Sequence, residues 1–237
     1  MQRETRGGTR GRDRKPGNAG EGRNNTRLLV VLGVGAVLVA GLLVALSALG
    51  GGGAQDLGGI PQNGTTLGSA DAPVTIRLYE DFQCPACGQF ARETLPGVVD
   101  RYVRSGDARL VSETMAFLGP DSVTAARAAL AAGEQDLYWQ YALLLFENQG
   151  AENSGYVTDE FLTDRAGETE GLDVARWREA REDASIDEEL RAVQRRASEA
   201  GVNSTPSLVV SGPEGETTLR GAVPTEEVDR AIEEVGG

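Results

Sequence analysis

A strand that runs straight into a helix across two cysteines constrains this chain most. In Val74–Phe90, "VTIRLYEDFQCPACGQF", Val74, Ile76 and Leu78 alternate with Thr75, Arg77 and Tyr79, which is the period of a β-strand. From Cys87 onward Phe90, Ala91, Leu95, Val98, Val99, Tyr102 and Val103 follow helical spacing instead. The period changes at Cys84-Pro85-Ala86-Cys87. With Cys84 as N-cap, Pro85 falls at the first helical position, where its missing N–H costs nothing. Pro96 is expected to kink the same helix, because it removes a donor and crowds the preceding turn.

That placement has chemical consequences. The N–H groups of Ala86 and Cys87 point back toward the Cys84 sulfur, and the positive end of the helix dipole lies beside it. Both favour a thiolate, so Cys84 is expected to titrate below the ~8.5 of a free thiol. Cys87, one turn in on the apolar stripe, is expected to be buried with a higher pKa. The result is an exposed attacking sulfur and a shielded resolving one. These are the only two cysteines in 237 residues, and the chain has no histidine. Ser-His-Asp hydrolysis, His-ligated zinc and Cys-His proteolysis each lose an obligatory member. A structural staple across two intervening residues would remove little chain entropy. A metal would need two carboxylates to complete its shell, and inert thiols are unexpected outside the cytoplasm. The reading adopted is a redox-active Cys84–Cys87 pair, with no metal and no other cofactor.

Asp107–Met115 reads as a second strand. A helical block follows over Asp121–Ala132, Leu137–Asn148, Asp159–Gly167, Asp173–Asp183 and Ile186–Gly201. Ser207–Ser211 and Glu216–Arg220 form a hairpin around a Gly212–Gly215 turn, and Thr225 caps a last helix to Val235. The order is strand, helix, strand, helical block, strand, strand, helix. That is the thioredoxin-like α/β order with a helical insertion. In such a fold the Thr205-Pro206 step, at the entrance to the hairpin, is where a cis-proline faces the cysteines. The Thr205 backbone could then pair with an extended substrate peptide.

Residues 1–27 carry a net charge of +5, leaving −18 for the rest of a chain whose total is −13. The folded part is therefore expected not to bind nucleic acid, which needs a basic stripe. Leu28–Leu49 is a 22-residue run without a charge, long enough at ~1.5 Å per residue to span the ~30 Å hydrocarbon core. It reads as a single transmembrane anchor, with the basic N-terminus cytoplasmic and the catalytic part outside the cell membrane. The expected organisation is a basic disordered tail (1–27), the anchor (28–49), a flexible linker (50–64), a thioredoxin-like domain in two parts (65–118 and 202–237) and an inserted helical domain (119–201).

The segments "APVTIRLYEDFQCPACGQF", "GVNSTPSLVVSG" and "LRGAVPTEEVDRAIEE" resemble the DsbA-like thiol–disulfide oxidoreductases, in particular their membrane-anchored extracytoplasmic branch. The likeness covers Leu67 to Val235. It implies a nucleophile at Cys84, a resolving thiol at Cys87, Pro85-Ala86 as the active-site dipeptide, and a substrate-binding cis-proline at Pro206 beside Thr205. It also implies a monomer that acts on reduced secreted proteins and is re-oxidised by a quinone-linked membrane partner. Two departures stand out. Many oxidising members carry a histidine between the cysteines, where this chain has Ala86. Many thioredoxin-like proteins have a buried carboxylate six positions before the first cysteine, where this chain has Leu78. Glu80 or Asp81 could substitute, although strand alternation points Glu80 with Leu78 and Asp81 away. Three functions follow: a dithiol oxidase weaker than the family norm; a reductase or isomerase, motivated by Ala86; and a peptide-binding, chaperone-like module that grips chains with the apolar Leu137–Phe146 helix.

Overall fold

The computed structural model describes residues 55–236. Six strands form one sheet in the order β1-β2-β4-β3-β5-β6. Its centre is β3 (Val74–Glu80), flanked by β4 (Ala108–Thr114) in parallel and β5 (Ser207–Gly212) in antiparallel. The parallel pair needs a crossover, and the helix that begins after Cys84 supplies it. β6 (Gly215–Arg220) closes the hairpin on β5, while β1 (Gln62–Asn63) and β2 (Thr66–Leu67) extend the other edge. β1 lies within the expected linker. Residues 55–64 are not a free tether: Leu57 and Ile60 are buried, and the Gly64 N–H donates to Asp136 Oδ1 at 3.0 Å. Strands of two residues carry no readable period, so composition alone made this stretch look flexible. The tail and the anchor at 28–49 lie outside the described residues. Among the described residues no helix is long and apolar enough to cross a membrane.

The crossover begins with α1 (Pro85–Glu93) and continues as α2 (Leu95–Val98) into a π-helical turn over Val99–Val103. The break expected at Pro96 falls two residues earlier, at Thr94. Pro96 occupies the start of α2, as a proline that cannot donate to the preceding turn does. The helical block resolves into α3 (Pro120–Gly133), α4 (Tyr138–Glu147), α5 (Asp159–Glu168), α6 (Val174–Ala180) and α7 (Ala184–Glu199). Thr158, Asp173 and Asp183 cap α5, α6 and α7 through side-chain oxygens that accept backbone N–H bonds. The chain closes with α8 (Thr225–Gly236).

The main core lies on the face of the sheet that carries Ile76, Leu78, Leu110, Leu208 and Val210, under α1, α2, α8 and the insertion. α4 contributes Tyr138, Trp139, Tyr141, Leu145 and Phe146, all buried. The helix considered as a peptide-gripping surface is thus packing material. On the opposite face Tyr79, Met115 and Val209 meet Val193 and Ala197 of α7. There Glu113, 1% exposed, accepts from Arg77 at 2.9 Å and from Arg196 at 2.6 Å. A carboxylate taken out of water that far needs such partners.

Candidate redox site

The site forms where β3 gives way to α1. Cys84 is the N-cap, with φ −70° and ψ 116°, and Pro85 and Ala86 open the helix. Cys84 is not exposed as expected but buried, with 8% of its surface accessible because it also faces Thr205; Cys87 keeps only 1%, and both are free thiols. The Cys84 thiol does not close the cap bond expected of it. It donates instead to the Thr205 carbonyl oxygen at 3.4 Å. The Thr205–Pro206 peptide bond is cis. Pro206 is buried and Thr205 half-exposed, and β5 begins one residue later. All six residues singled out from the sequence (Cys84, Pro85, Ala86, Cys87, Thr205 and Pro206) are therefore gathered around one sulfur.

The two thiols are set far apart in acidity. Cys84 is pulled from 9.0 down to about 6. The largest cause is a hydrogen bond from the Cys87 thiol, which outweighs the cost of burial. The Thr205 side chain and the N–H groups of Cys87 and Ala86 add to it. The helix start was the sequence-based reason for this shift; the neighbouring thiol outranks it. Cys87 is pushed well above 9.0, first by burial and then by its bond and charge interaction with Cys84. One sulfur is thus poised to attack or leave, and the other is held protonated.

Behind the pair lies a buried acid. Glu80 follows Leu78 on the inner face, as strand alternation requires. It accepts from Ser112 Oγ at 2.6 Å and from Tyr138 Oη at 3.3 Å. Tyr138 Oη also lies 2.6 Å from Ser112 Oγ and 2.7 Å from Thr114 Oγ1. Burial raises the Glu80 carboxyl from 4.5 to about 7, against the lowering effect of these hydroxyls. Its charge is among those that raise Cys87. Asp81 does not point away from the core as expected: it is fully buried, because the chain leaves the strand there and turns its carboxylate toward the loop after β4.

The insertion reaches the site through residues that sequence reasoning passed over. Gln149 Nε2 donates to the carbonyls of Phe82 at 2.8 Å and Cys84 at 3.0 Å. Gln83, fully buried, donates to Ser122 Oγ at 3.1 Å, and its Oε1 accepts from the Asn153 N–H at 2.7 Å. These contacts span 39 to 70 residues of chain. A polar residue in a loop carries no local signal of such a partner. Among the described residues, no cluster of three or more His, Cys, Asp or Glu is placed to hold a metal ion.

The thioredoxin family profile matches residues 61–234. The chain belongs to the thioredoxin family, and it is similar to the DsbA-like thiol–disulfide oxidoreductases, enzymes that work through a cysteine pair without a further cofactor. The probable disulfide bond formation protein D of Bacillus anthracis is 29% identical over 150 residues, 62% of this chain and 69% of the relative. Oxidised BdbD from Bacillus subtilis superposes with a TM-score of 0.64 at 23% identity, over 74% of this chain and 96% of that one. A thioredoxin-like oxidoreductase from Silicibacter pomeroyi superposes with a TM-score of 0.60 at 28% identity, over 73% and 90%.

Proposed function

We propose that this chain is an extracytoplasmic dithiol oxidase that works through Cys84 and Cys87. In its oxidised form a substrate thiolate attacks Cys84; the Cys84–Cys87 bond breaks and Cys87 leaves as a thiolate that takes up a proton. A second substrate thiolate then attacks its own sulfur in the mixed disulfide. The substrate gains a disulfide, and the two electrons remain on the enzyme as Cys84 thiolate and Cys87 thiol. The observation that carries this reading is the Cys84 sulfur, held at about 6 and set against Thr205. A thiolate that stable is a good leaving group and favours the reduced enzyme.

Glu80 is the proton acceptor and donor for Cys87 in this scheme. Its carboxyl, near 7, can exchange a proton at neutral pH, whereas Leu78 at the usual position cannot. Thr205 pairs with the substrate backbone, as in strand addition. The substrates are reduced secreted or surface proteins. A membrane thiol oxidase linked to quinone takes the electrons away, and the anchor at 28–49 keeps the monomeric enzyme beside it. The relatives named for disulfide bond formation support this direction.

The test is to mix oxidised full-length chain, in detergent, with a reduced unfolded protein and count the thiols consumed. An oxidase consumes two substrate thiols per enzyme, and Cys84→Ser consumes none. The reductase reading keeps one observation in its favour, Ala86 in place of histidine. It predicts the reverse: reduced enzyme opening the disulfides of a folded substrate faster than oxidised enzyme forms them.

A further inference from the structure

Asp81 is bonded both to the Gln83-Cys84 turn and to the loop after β4. Its N–H faces the Cys87 sulfur, and its carbonyl accepts the Cys84 N–H at 3.0 Å. Its Oδ1 accepts from the Gln83 N–H at 2.8 Å and from Ser122 Oγ at 2.6 Å. Its Oδ2 accepts from the Phe117 N–H at 2.8 Å and the Leu118 N–H at 3.1 Å. The side chain is fully buried, so these four donors stand in for the water it lacks. Two of them belong to the loop between β4 and α3, which Ala116 enters at φ 46°, a conformation costly for a residue with a Cβ. That loop presents Phe117, 46% exposed, to solvent. The geometry suits a carboxylate and not an amide: an asparagine offers one acceptor, and its NH₂ would confront two N–H donors.

We propose that Asp81 is the positioning residue of the redox pair, holding the Cys84 turn and the Phe117 loop as one unit so that the Cys84 sulfur stays between the start of α1 and Thr205. This rests on the reading of Cys84 as the nucleophile. Asp81 touches no substrate; it acts through the backbone of Gln83, Cys84, Phe117 and Leu118. A loop staple with no bearing on the thiols is the competing role, and the sign of one shift separates the two. Removing a nearby negative charge would by itself make Cys84 more acidic. Loosening the turn takes the sulfur from its donors and makes it less acidic.

The experiment follows thiolate absorbance and the rate of Cys84 alkylation against pH in the reduced full chain, for wild type, Asp81→Asn and Asp173→Ala. Asp173 caps the remote helix α6, so its loss destabilises the protein without touching the site. Positioning predicts that D81N moves the thiolate midpoint up by about half a pH unit or more and slows alkylation at pH 6 about twofold or more, while D173A leaves both unchanged. A folded D81N with an unchanged or lower midpoint overturns the proposal. Hydrogen exchange in the wild type gives a second test, one that stands even where D81N does not fold. The Gln83, Phe117 and Leu118 amides should be protected together, and exchange of Phe117 and Leu118 at free-loop rates overturns the proposal. A wild-type midpoint near that of a free thiol would sink the nucleophile reading instead, and the exchange test of Asp81 would still stand.

Discussion

The Cys84 sulfur lies 3.4 Å from the carbonyl oxygen of Thr205, 121 residues further along the chain. The bond exists only while the thiol carries its proton, so ionisation replaces it with donors: the Cys87 thiol first, then the Thr205 side chain and the N–H groups at the start of α1. Removing the strongest donor should therefore cost most. Cys87→Ala should raise the Cys84 midpoint, followed by absorbance at 240 nm, further above about 6 than Thr205→Val does. If T205V shifts it more than C87A, the order of causes is wrong.

Stability should depend on pH differently in the two redox forms. Cys84 titrates lower in the folded reduced protein than unfolded, so its contribution is full above the unfolded value near 9 and fades as pH falls through about 6. The oxidised protein has no thiol to titrate. Denaturant melts should show reduced minus oxidised stability rising between pH 6 and 9, by up to roughly 4 kcal/mol for three pH units. A difference that stays flat over this range contradicts the assignment.

Glu80 has the opposite sign. Its folded pKa, about 7, lies above its ordinary 4.5, so the charged form costs stability. That cost is absent below pH 4.5, grows as pH rises, and is complete above 7. Glu80→Gln should thus be more stable than wild type at pH 8, by roughly 3 kcal/mol at most, with no advantage near pH 4. It should also slow at least tenfold at pH 7 the re-oxidation step in which Cys87, giving up its proton, attacks the mixed disulfide with the oxidant and brings about its release, as loss of a general base does. Unchanged release kinetics would remove Glu80 from the proton path.

Gly88 tests the contact between the insertion and the site. A Cβ there would run into Gln149 Oε1 and would lie 2.8 Å from Arg92 Nη1, both at the ends of flexible side chains. Gly88→Ala should therefore fold, with a small loss of stability. It should pull Gln149 off the Phe82 and Cys84 carbonyls and reduce the rate of disulfide exchange severalfold. Wild-type exchange in a stable G88A would mean that Gln149 is not needed to hold the turn.

Much of this was legible in the sequence, because helices and strands announce themselves through period and caps. Val74–Glu80 is observed as read, helices occupy the segments read as helical between β4 and β5, and the two cysteines sit at the junction where the period changes. The departures lie where the controlling partner is distant. Gln62–Leu67 forms strands only because β4 is there to pair with β2. Asp81 is buried because a loop 36 residues away offers it N–H groups. Glu80 lies under a tyrosine 58 residues on. A carboxylate's neighbours decide its acidity, and those neighbours come from the fold.

The direction of electron flow is tested most directly by the reduction potential of the Cys84–Cys87 pair, equilibrated against glutathione. A thiolate at about 6 stabilises the reduced form at pH 7 by roughly 1.4 kcal/mol, or about 30 mV. Cys84 lies between thioredoxin's ~7 and DsbA's ~3.5, so a potential between those proteins is expected. The expected value is more positive than thioredoxin's ~−270 mV and short of the ~−120 mV of DsbA. A value near thioredoxin's ~−270 mV would contradict it and make the enzyme a reductase.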